Sequence, residues 1–532
     1  MKRKYLLGLI TLLVTTSFAG APRSFAADAV VATTSQVTKS TIQQGVQRMS
    51  EDTKKDLSKK HDNFYWLGQI NKASIIINTD EGLLDKKYSA DFAKALQTVI
   101  HNGNTGGPRP QNVVAFEPYW IEQAGPEVTR IHAGRSSQDM LTSARMMQMR
   151  EALLQLSKSV TKVENTLLIM AEEHRDTIVP AYTNGVAAQP TSYGHYLQAF
   201  ATGFERDYER IDHMYDHINR SPMGSMVLNG TGWSLNRERM ASYLGFDSVF
   251  DNSYDATQLY TLEYPVEAAG VVTPIAIRVG NFIEDLMTQY AQPHPWILLQ
   301  EGGKNTYVSS AMPQKRNPGI LNNTRMDAST IVGDAQGAII RTHNTTPGLI
   351  DSRSPLTVEM VRNTAKLLDQ FDDVLQALQI DPVRAEQELN LDWTASQELA
   401  DTLMRDYDIP FRVGHHVASD MVTVARANDY HPTDFPYAEI QRIYAEDIAH
   451  ADIPEAPRTF PLSESQFREV LNPRRIVERR ATKGGPQPAE VDRMIRESKA
   501  QVAKQEQTTA KRTEQIKSSL ERLERDFQAY LK

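Results

Sequence analysis

Residues 139–174 read DMLTSARMMQMREALLQLSKSVTKVENTLLIMAEEH. Met146, Met149, Leu153, Leu156, Val160, Val163, Leu167 and Met170 follow one another at alternating steps of three and four. Such steps keep an apolar side chain on the same side of an α-helix, turn after turn. No Gly or Pro interrupts the run, so nothing in it weakens or kinks the helix. At about 1.5 Å per residue the helix is on the order of 50 Å long. An apolar seam of that length needs covering by other helices, as in a bundle or coiled coil. The methionines on it are read as packing residues.

Outward from this helix the pattern stays helical. Upstream, Glu81 to Ile100 predicts an amphipathic helix, and Gly103 to Pro110 (GNTGGPRP) a loop. Downstream, helical stretches cover Tyr193 to Asn219, Ile275 to Tyr290, Asn322 to Thr342 and Thr357 to Leu378. Pro180, Pro190, Pro222, Pro274, Pro293 and Pro347 stand between or beside them. Leu399 to Arg426, with Pro410 between its halves, suggests a helical hairpin. Gly484-Gly485-Pro486 closes a unit, and Pro488 to Leu531 reads as a charged, solvated helix. Strand signals are few and short, so the expected class is all-α.

The chain has 532 residues and a net charge of −8. An acidic balance argues against nucleic acid as the main partner, because backbone binding needs a basic surface. There is no Cys, which excludes disulfides, thiol nucleophiles and Cys-ligated metals. Lys2, Arg3 and Lys4 precede an apolar stretch from Tyr5 to Val14, followed by small residues. That is the pattern of a secretory leader, taken as residues 1–26. It predicts an exported protein, periplasmic or extracellular. No later segment is expected to be apolar enough to span a membrane, so no stable insertion is expected once the leader is cleaved. The expected organisation is an arm over 27–55, an N-terminal domain over 56–138, a central helical domain over 139–385, a C-terminal helical domain over 386–487 and the charged helix over 488–532.

The segment that bears chemistry is Gly302 to Pro318, GGKNTYVSSAMPQKRNP. Two glycines permit a mobile lid. A serine on such a lid acts as a base only if its alkoxide is stabilised, and Lys315 and backbone N–H groups are the available source of that field. Asn317 adds a neutral donor for a carboxylate. Removing a proton next to a carboxylate creates a dianionic aci-carboxylate, which requires clustered donors and positive charge. A Gly/Ser surface loop ahead of a helix reads the same residues almost equally well.

The stretch SSAMPQKRNP resembles the signature SSxMPxKxN of the fumarase/aspartase superfamily, in the form found in argininosuccinate lyase. Other stretches are similar to that lyase in the same order: IHAGRSSQD at Ile131 to Asp139, YTNGVAAQP at Tyr182 to Pro190, Pro222 to Phe246, Ala395 to His416, and RATKGG at Arg480 to Gly485. The resemblance covers roughly 55–485. It implies a helical fold whose long helices assemble into a twenty-helix bundle in a homotetramer, with each active site built at the junction of three subunits. It further implies β-elimination from a substituted succinate, with Ser309 as general base and Lys315 and Asn317 holding the aci-carboxylate. Arg135, Ser136, Ser137, Gln138, Thr183, Asn184, Gln189 and Ser310 fall at substrate-contacting positions of its motifs.

The departures from the family pattern are chemical. Asn184 stands where the family has a histidine that assists the leaving group, and Asn322 where it has that histidine's glutamate partner. An amide transfers no proton near neutral pH. Ser137-Gln138 replaces an Arg-Asn pair that grips a carboxylate. PGLIDSRS at Pro347 to Ser354 brings new charges, Asp351 and Arg353, and Arg353 is the candidate replacement for the lost grip. These departures point to a substrate other than argininosuccinate. They also keep open a non-catalytic homologue that binds a small dicarboxylate; a structural helical protein of the envelope is the third reading. No dinucleotide, phosphate-loop or metal pattern is present, so neither cofactor nor metal is expected. Adjacent His415 and His416 point apart on a helix, and His132 is read as structural.

Overall fold

The computed structural model describes residues 57–349, 353–451 and 453–532. The leader, the arm and Asp351 lie outside the described residues. Three helices, α1 (Asn63–Asp80), α2 (Lys86–Asn104) and α3 (Val113–Ala124), precede the long helix α4 (Ser137–Glu173). A hairpin of β1 (Ile178–Thr183) and β2 (Val186–Ser192) leads into α5 (Tyr193–Ile218). Then come β3 (Arg220–Ser221), α6 (Arg237–Tyr243), β4 (Ser248–Val249), α7 (Tyr260–Tyr290) and β5 (Ile297–Leu299). A small hairpin, β6 (Tyr307–Val308) and β7 (Arg316–Asn317), precedes α8 (Gly319–Thr342), α9 (Leu356–Gln376) and β8 (Leu378–Ile380). The rest is helical: α10 (Pro382–Leu391), α11 (Ser396–Tyr407), α12 (Phe411–Asn428), α13 (Tyr437–Ala451), α14 (Glu464–Val470), α15 (Pro473–Arg479) and α16 (Pro488–Gln528).

Every sheet among the described residues is one pair of strands: β1 with β2, β3 with β4, β5 with β8 and β6 with β7. Packing is therefore by helices, and the all-α class holds. The chain divides into two compact units. The small one is 1–59 with 101–108, of which a single 3-10 turn at Leu57–Lys59 and the end of α2 with its turn are described. The large one is 60–100 with 109–532.

The central helix starts where its cap dictates. The Ser136 hydroxyl accepts from the Asp139 N–H, and the Asp139 carboxylate accepts from the Ser136 N–H. This reciprocal box satisfies two N–H groups that a helix start otherwise leaves open. From Met146 to Leu167 the expected seam is buried, and Met170 packs half-buried at its end. Yet α4 is covered on more than that seam, by α5, α9, α16 and α1, so Met147, Leu154, Leu168 and Ala171 are buried too.

Three expectations need correction. The charged tail is not a freely solvated helix. Val491, Ile495, Val502, Ile516, Leu523 and Phe527 of α16 are buried, with Ser498, Gln505 and Thr509 filling steps of the same stripe. Polar residues at buried positions hid a heptad-like seam. The helix expected from Ile275 begins at Tyr260 and runs through Pro265 and Pro274. Burial of Tyr264, Ala268, Val272 and Ile275 holds it despite the missing N–H groups. Finally, Asp255–Tyr290 is long and apolar enough to cross a membrane, with mean hydropathy 1.3 over its most apolar 18 residues, although half of those are buried inside the protein.

Candidate functional site

The lid segment folds as the hairpin β6–β7, with Tyr307 opposite Asn317 and Val308 opposite Arg316. Gly302 and Gly303 have φ of 92° and 55°, a region that side chains resist, so the glycines are required there. Thr306 anchors the stem: it is buried, and its hydroxyl accepts from the Gly302 N–H at 2.8 Å. Ser309 sits at the turn. Its N–H donates to the Lys315 carbonyl at 3.3 Å, and the Lys315 N–H donates to the Met312 carbonyl at 3.1 Å. The N–H groups of Ala311 and Met312 both donate to the Ser309 hydroxyl oxygen, at 3.3 and 3.2 Å. Two donors aimed at one hydroxyl oxygen favour its negatively charged form. Lys315 and Ser310 are exposed, Ser309 and Asn317 half-exposed, and Asn317 Nδ2 donates to the Tyr307 carbonyl at 3.3 Å.

The first motif is tied down by Asp139. Its carboxylate accepts from the N–H groups of Gly224 and Met226, each at 3.2 Å, besides that of Ser136. Burial raises its pKa, and these hydrogen bonds oppose the rise. The sequence signal for this role was the capping pattern Ser-x-x-Asp. Arg135 lies inside the protein, 5% exposed, with Nη1 donating to Ser74 Oγ at 2.9 Å. Its buried Nε has no partner among the described residues. Burial holds its pKa down to about 10, against the opposing charges of Asp139 and Glu117. Ser136 serves the helix cap, Ser137 is exposed, and Gln138 Nε2 donates to the Thr257 carbonyl at 3.1 Å. His132 pairs with Glu117 at 2.9 Å.

The second motif forms the tip of β1–β2. Thr183 faces Val186, and the two residues between them, Asn184 and Gly185, have φ of 53° and 75°. A two-residue hairpin loop with positive φ at both positions favours Asn-Gly, so the turn itself accounts for an amide at 184. Thr183, Asn184 and Gln189 are exposed, and Gln189 Nε2 donates to Gln397 Oε1 at 2.8 Å. Behind the tip, the Tyr182 hydroxyl donates to Glu388 Oε1 at 2.6 Å and accepts from Gln289 and Trp296. Burial, chiefly, pushes its pKa up to about 12. Gly185→Ala is expected to destabilise the protein by roughly 1–2 kcal/mol, because a Cβ disfavours the left-handed region. Asn184→Asp, which tolerates that region, is expected to leave Tm nearly unchanged. Equal melting of both variants and the parent in a thermal scan would contradict this turn.

Among the described residues no hydrogen bond or ion pair joins the Ser309 hairpin, the Asn184 tip and the first motif. The first motif instead meets the turn before α7, which in turn lies by Gly348. Gln138 reaches Thr257, and a Cβ on Gly348 (φ 98°) would stand 3.1 Å from Gln258 Oε1. The Gly348 carbonyl accepts from Arg353 Nη2 at 3.2 Å. Asn322 lies in the first turn of α8, and His415 and His416 cross at 86° on α12. Among the described residues no group of three or more His, Asp or Glu is placed to hold a metal ion.

Known proteins resemble this chain in sequence and fold. The sequence family described as lyase matches residues 27–333, and the family described as argininosuccinate lyase C-terminal matches 393–478. Argininosuccinate lyase 1 of Shouchella clausii is 27% identical over 461 residues, covering 84% of this chain and 89% of the relative. Argininosuccinate lyase of Methanosarcina acetivorans is 29% identical over 421 residues, covering 77% and 81%. The structure of EDDS lyase in complex with formate superposes with a TM-score of 0.79 at 23% identity, covering 88% of this chain and 92% of that one. A fumarate lyase from Mesorhizobium sp. BNC1 gives 0.62 at 15% identity, covering 82% and 96%. With its motifs in family order, its helical fold and matches that span most of its length, the chain belongs to the fumarase/aspartase superfamily as a lyase enzyme close to argininosuccinate lyase.

Proposed function

We propose that this protein is an exported carbon–nitrogen lyase that releases fumarate, or a related unsaturated acid, from an N-substituted succinate. The Ser309 hydroxyl, as alkoxide, takes the proton from the carbon next to a carboxylate. The electron pair left behind moves into that carboxylate as the aci form, then returns to make the double bond as the C–N bond breaks; a nitrogen that enters the site already protonated takes the bond pair and leaves as neutral amine, while the proton taken from carbon stays on Ser309 until solvent removes it. The observation that carries this reading is the pair of N–H groups on the Ser309 oxygen. They stabilise the alkoxide on a segment where Lys315 and Asn317 are at hand for the developing dianion. Turnover is read directly by incubating the protein with argininosuccinate and a panel of N-substituted succinates and following fumarate absorbance. Fumarate from at least one non-argininosuccinate substrate is expected; silence across the panel would sink the proposal.

A second reading, a homologue that binds a dicarboxylate without turning it over, draws on Asn184 and Asn322, neither of which moves a proton. It expects a thermal shift with fumarate and no turnover of any panel member.

The working unit we infer is a homotetramer. Among the described residues no hydrogen bond or ion pair joins the three groups of motif residues, and the bundle helices present apolar surface. Val266 and Ile277 on α7 are 41% and 48% exposed, and Met326 and Ile340 on α8 are 62% and 69% exposed. An exposed apolar face of this kind marks an association surface. The double variant Met326→Glu/Ile340→Glu is expected to fall from tetramer to smaller species by light scattering, with loss of turnover. A double variant that kept the parent's mass would remove α8 from the interface.

A further inference from the structure

The first motif and the segment folded over it share a cavity of about 30 Å³. Arg135 and its two preceding residues, with Ser74 of α1, make one wall; parts of the segment from Met223 to Met240 make the other. The walls lie close together. A Cβ on Gly134 would stand 2.6 Å from Leu235 Cδ1, and one on Gly224 would stand 3.0 Å from Arg237 Cγ. Two guanidinium groups, those of Arg135 and Arg237, border this cavity, and no carboxylate does. Arg135 Nη1 donates to Ser74 Oγ at 2.9 Å, and Arg237 Nε donates to the Met223 carbonyl at 2.8 Å. Arg135 Nε and Arg237 Nη2 are buried and have no partner among the described residues. Neither arginine has a carboxylate within ion-pair distance among the described residues. Asp139, the acid whose charge reaches both, has its oxygens occupied by the N–H groups of Ser136, Gly224 and Met226.

Other buried arginines of this protein are treated differently. Arg150 donates to Asn219 Oδ1 and to the carbonyls of Gly245 and Leu244. Arg278 pairs with Asp207, and Arg109 with Asp62. Two like charges withdrawn from water repel each other and lose hydration, a cost that an anion bound to both offsets. Water alone meets only part of the need. Arg135 also borders a cavity of about 10 Å³ with Asn71, whose buried Oδ1 has no partner. One water there would join Asn71 Oδ1 to an Arg135 N–H. Such a water satisfies a donor and leaves the charge unbalanced. The larger cavity has room for roughly two waters or one monatomic anion, and it is too small for a succinate skeleton. Guanidinium N–H groups hold an anion through charge-assisted hydrogen bonds.

We propose that this cavity binds one small monovalent inorganic anion, such as chloride, which Arg135 and Arg237 hold between the first motif and the segment folded over it. The anion is a fixed part of the protein, separate from any substrate, so the site stands or falls independently of the lyase reading. Two measurements on the full-length protein test it. In thermal scans at constant ionic strength, replacing gluconate by chloride or bromide is expected to raise Tm saturably, by about 2–4 °C. Arg237→Met, which removes the charge and keeps an apolar stem, is expected to abolish that rise. Arg237→Lys keeps the charge but loses the fork and is expected to retain part of it. Crystals of the parent soaked in bromide are expected to show an anomalous peak within hydrogen-bonding distance of both arginines. That peak is read on the parent, so it decides the matter if a variant fails to fold. Equal melting of the parent in gluconate and chloride would overturn the site. A rise that persists in folded Arg237→Met would overturn it as well, as would a cavity that holds only water in bromide-soaked crystals. A bromide peak that fumarate displaces would also overturn it, because the cavity would then belong to a substrate carboxylate.

Discussion

Ser309→Ala is expected to lower kcat by roughly 10²- to 10⁴-fold, the range over which a positioned proton-transfer group acts, with little change in KM. The argument is local. The Ala311 and Met312 N–H groups converge on the Ser309 oxygen, and alanine leaves them with nothing to stabilise. The hairpin itself survives the change, because its closing contacts are the backbone pair of Ser309 with Lys315 and the β6–β7 ladder. Substrate still binds while proton removal slows. Ser310→Ala is the internal comparison: its side chain is exposed and receives no such pair of N–H groups, so a smaller loss is expected. The measurement is fumarate absorbance under saturating substrate, and full activity in Ser309→Ala would rule out the serine base.

Some of this was readable from the chain alone, for physical reasons. The α4 seam was legible because its residues are apolar, regularly spaced and free of Gly and Pro. The α16 seam was not, because Ser498, Gln505 and Thr509 occupy buried steps and dilute the apolar stripe. The β1–β2 hairpin carried its signal in Asn184-Gly185, a pair whose turn geometry is as informative as its place in a family motif. The lid was legible because its chemistry lies in consecutive residues, 302–318. Arg135 was not legible as an interior side chain, since a short irregular segment has no periodicity to say which residues face inward.

Glu164→Gln is expected to stabilise the protein, and to do so in a pH-dependent way. Glu164 lies on α4 at 0% exposure, and both carboxyl oxygens lack a partner among the described residues. Burial raises its pKa to about 8, and the carboxylates of Glu205 and Asp207 push in the same direction. The folded protein therefore holds this proton at neutral pH, whereas the unfolded chain releases it above about 4.5. A group whose folded pKa is raised in this way binds more protons folded than unfolded over that window, so stability falls as pH rises from about 4.5 to about 8. At pH 7 the window crossed amounts to roughly 3 kcal/mol, taking about 1.4 kcal/mol per pH unit. Glutamine has the shape of the protonated acid and no proton to lose, so the variant escapes this cost. Thermal scans of the parent and Glu164→Gln are expected to coincide near pH 4.5 and to diverge by several degrees at pH 7 to 8, with the variant melting higher. A gap that stayed constant across that range would mean that the folded protein does not hold the Glu164 proton.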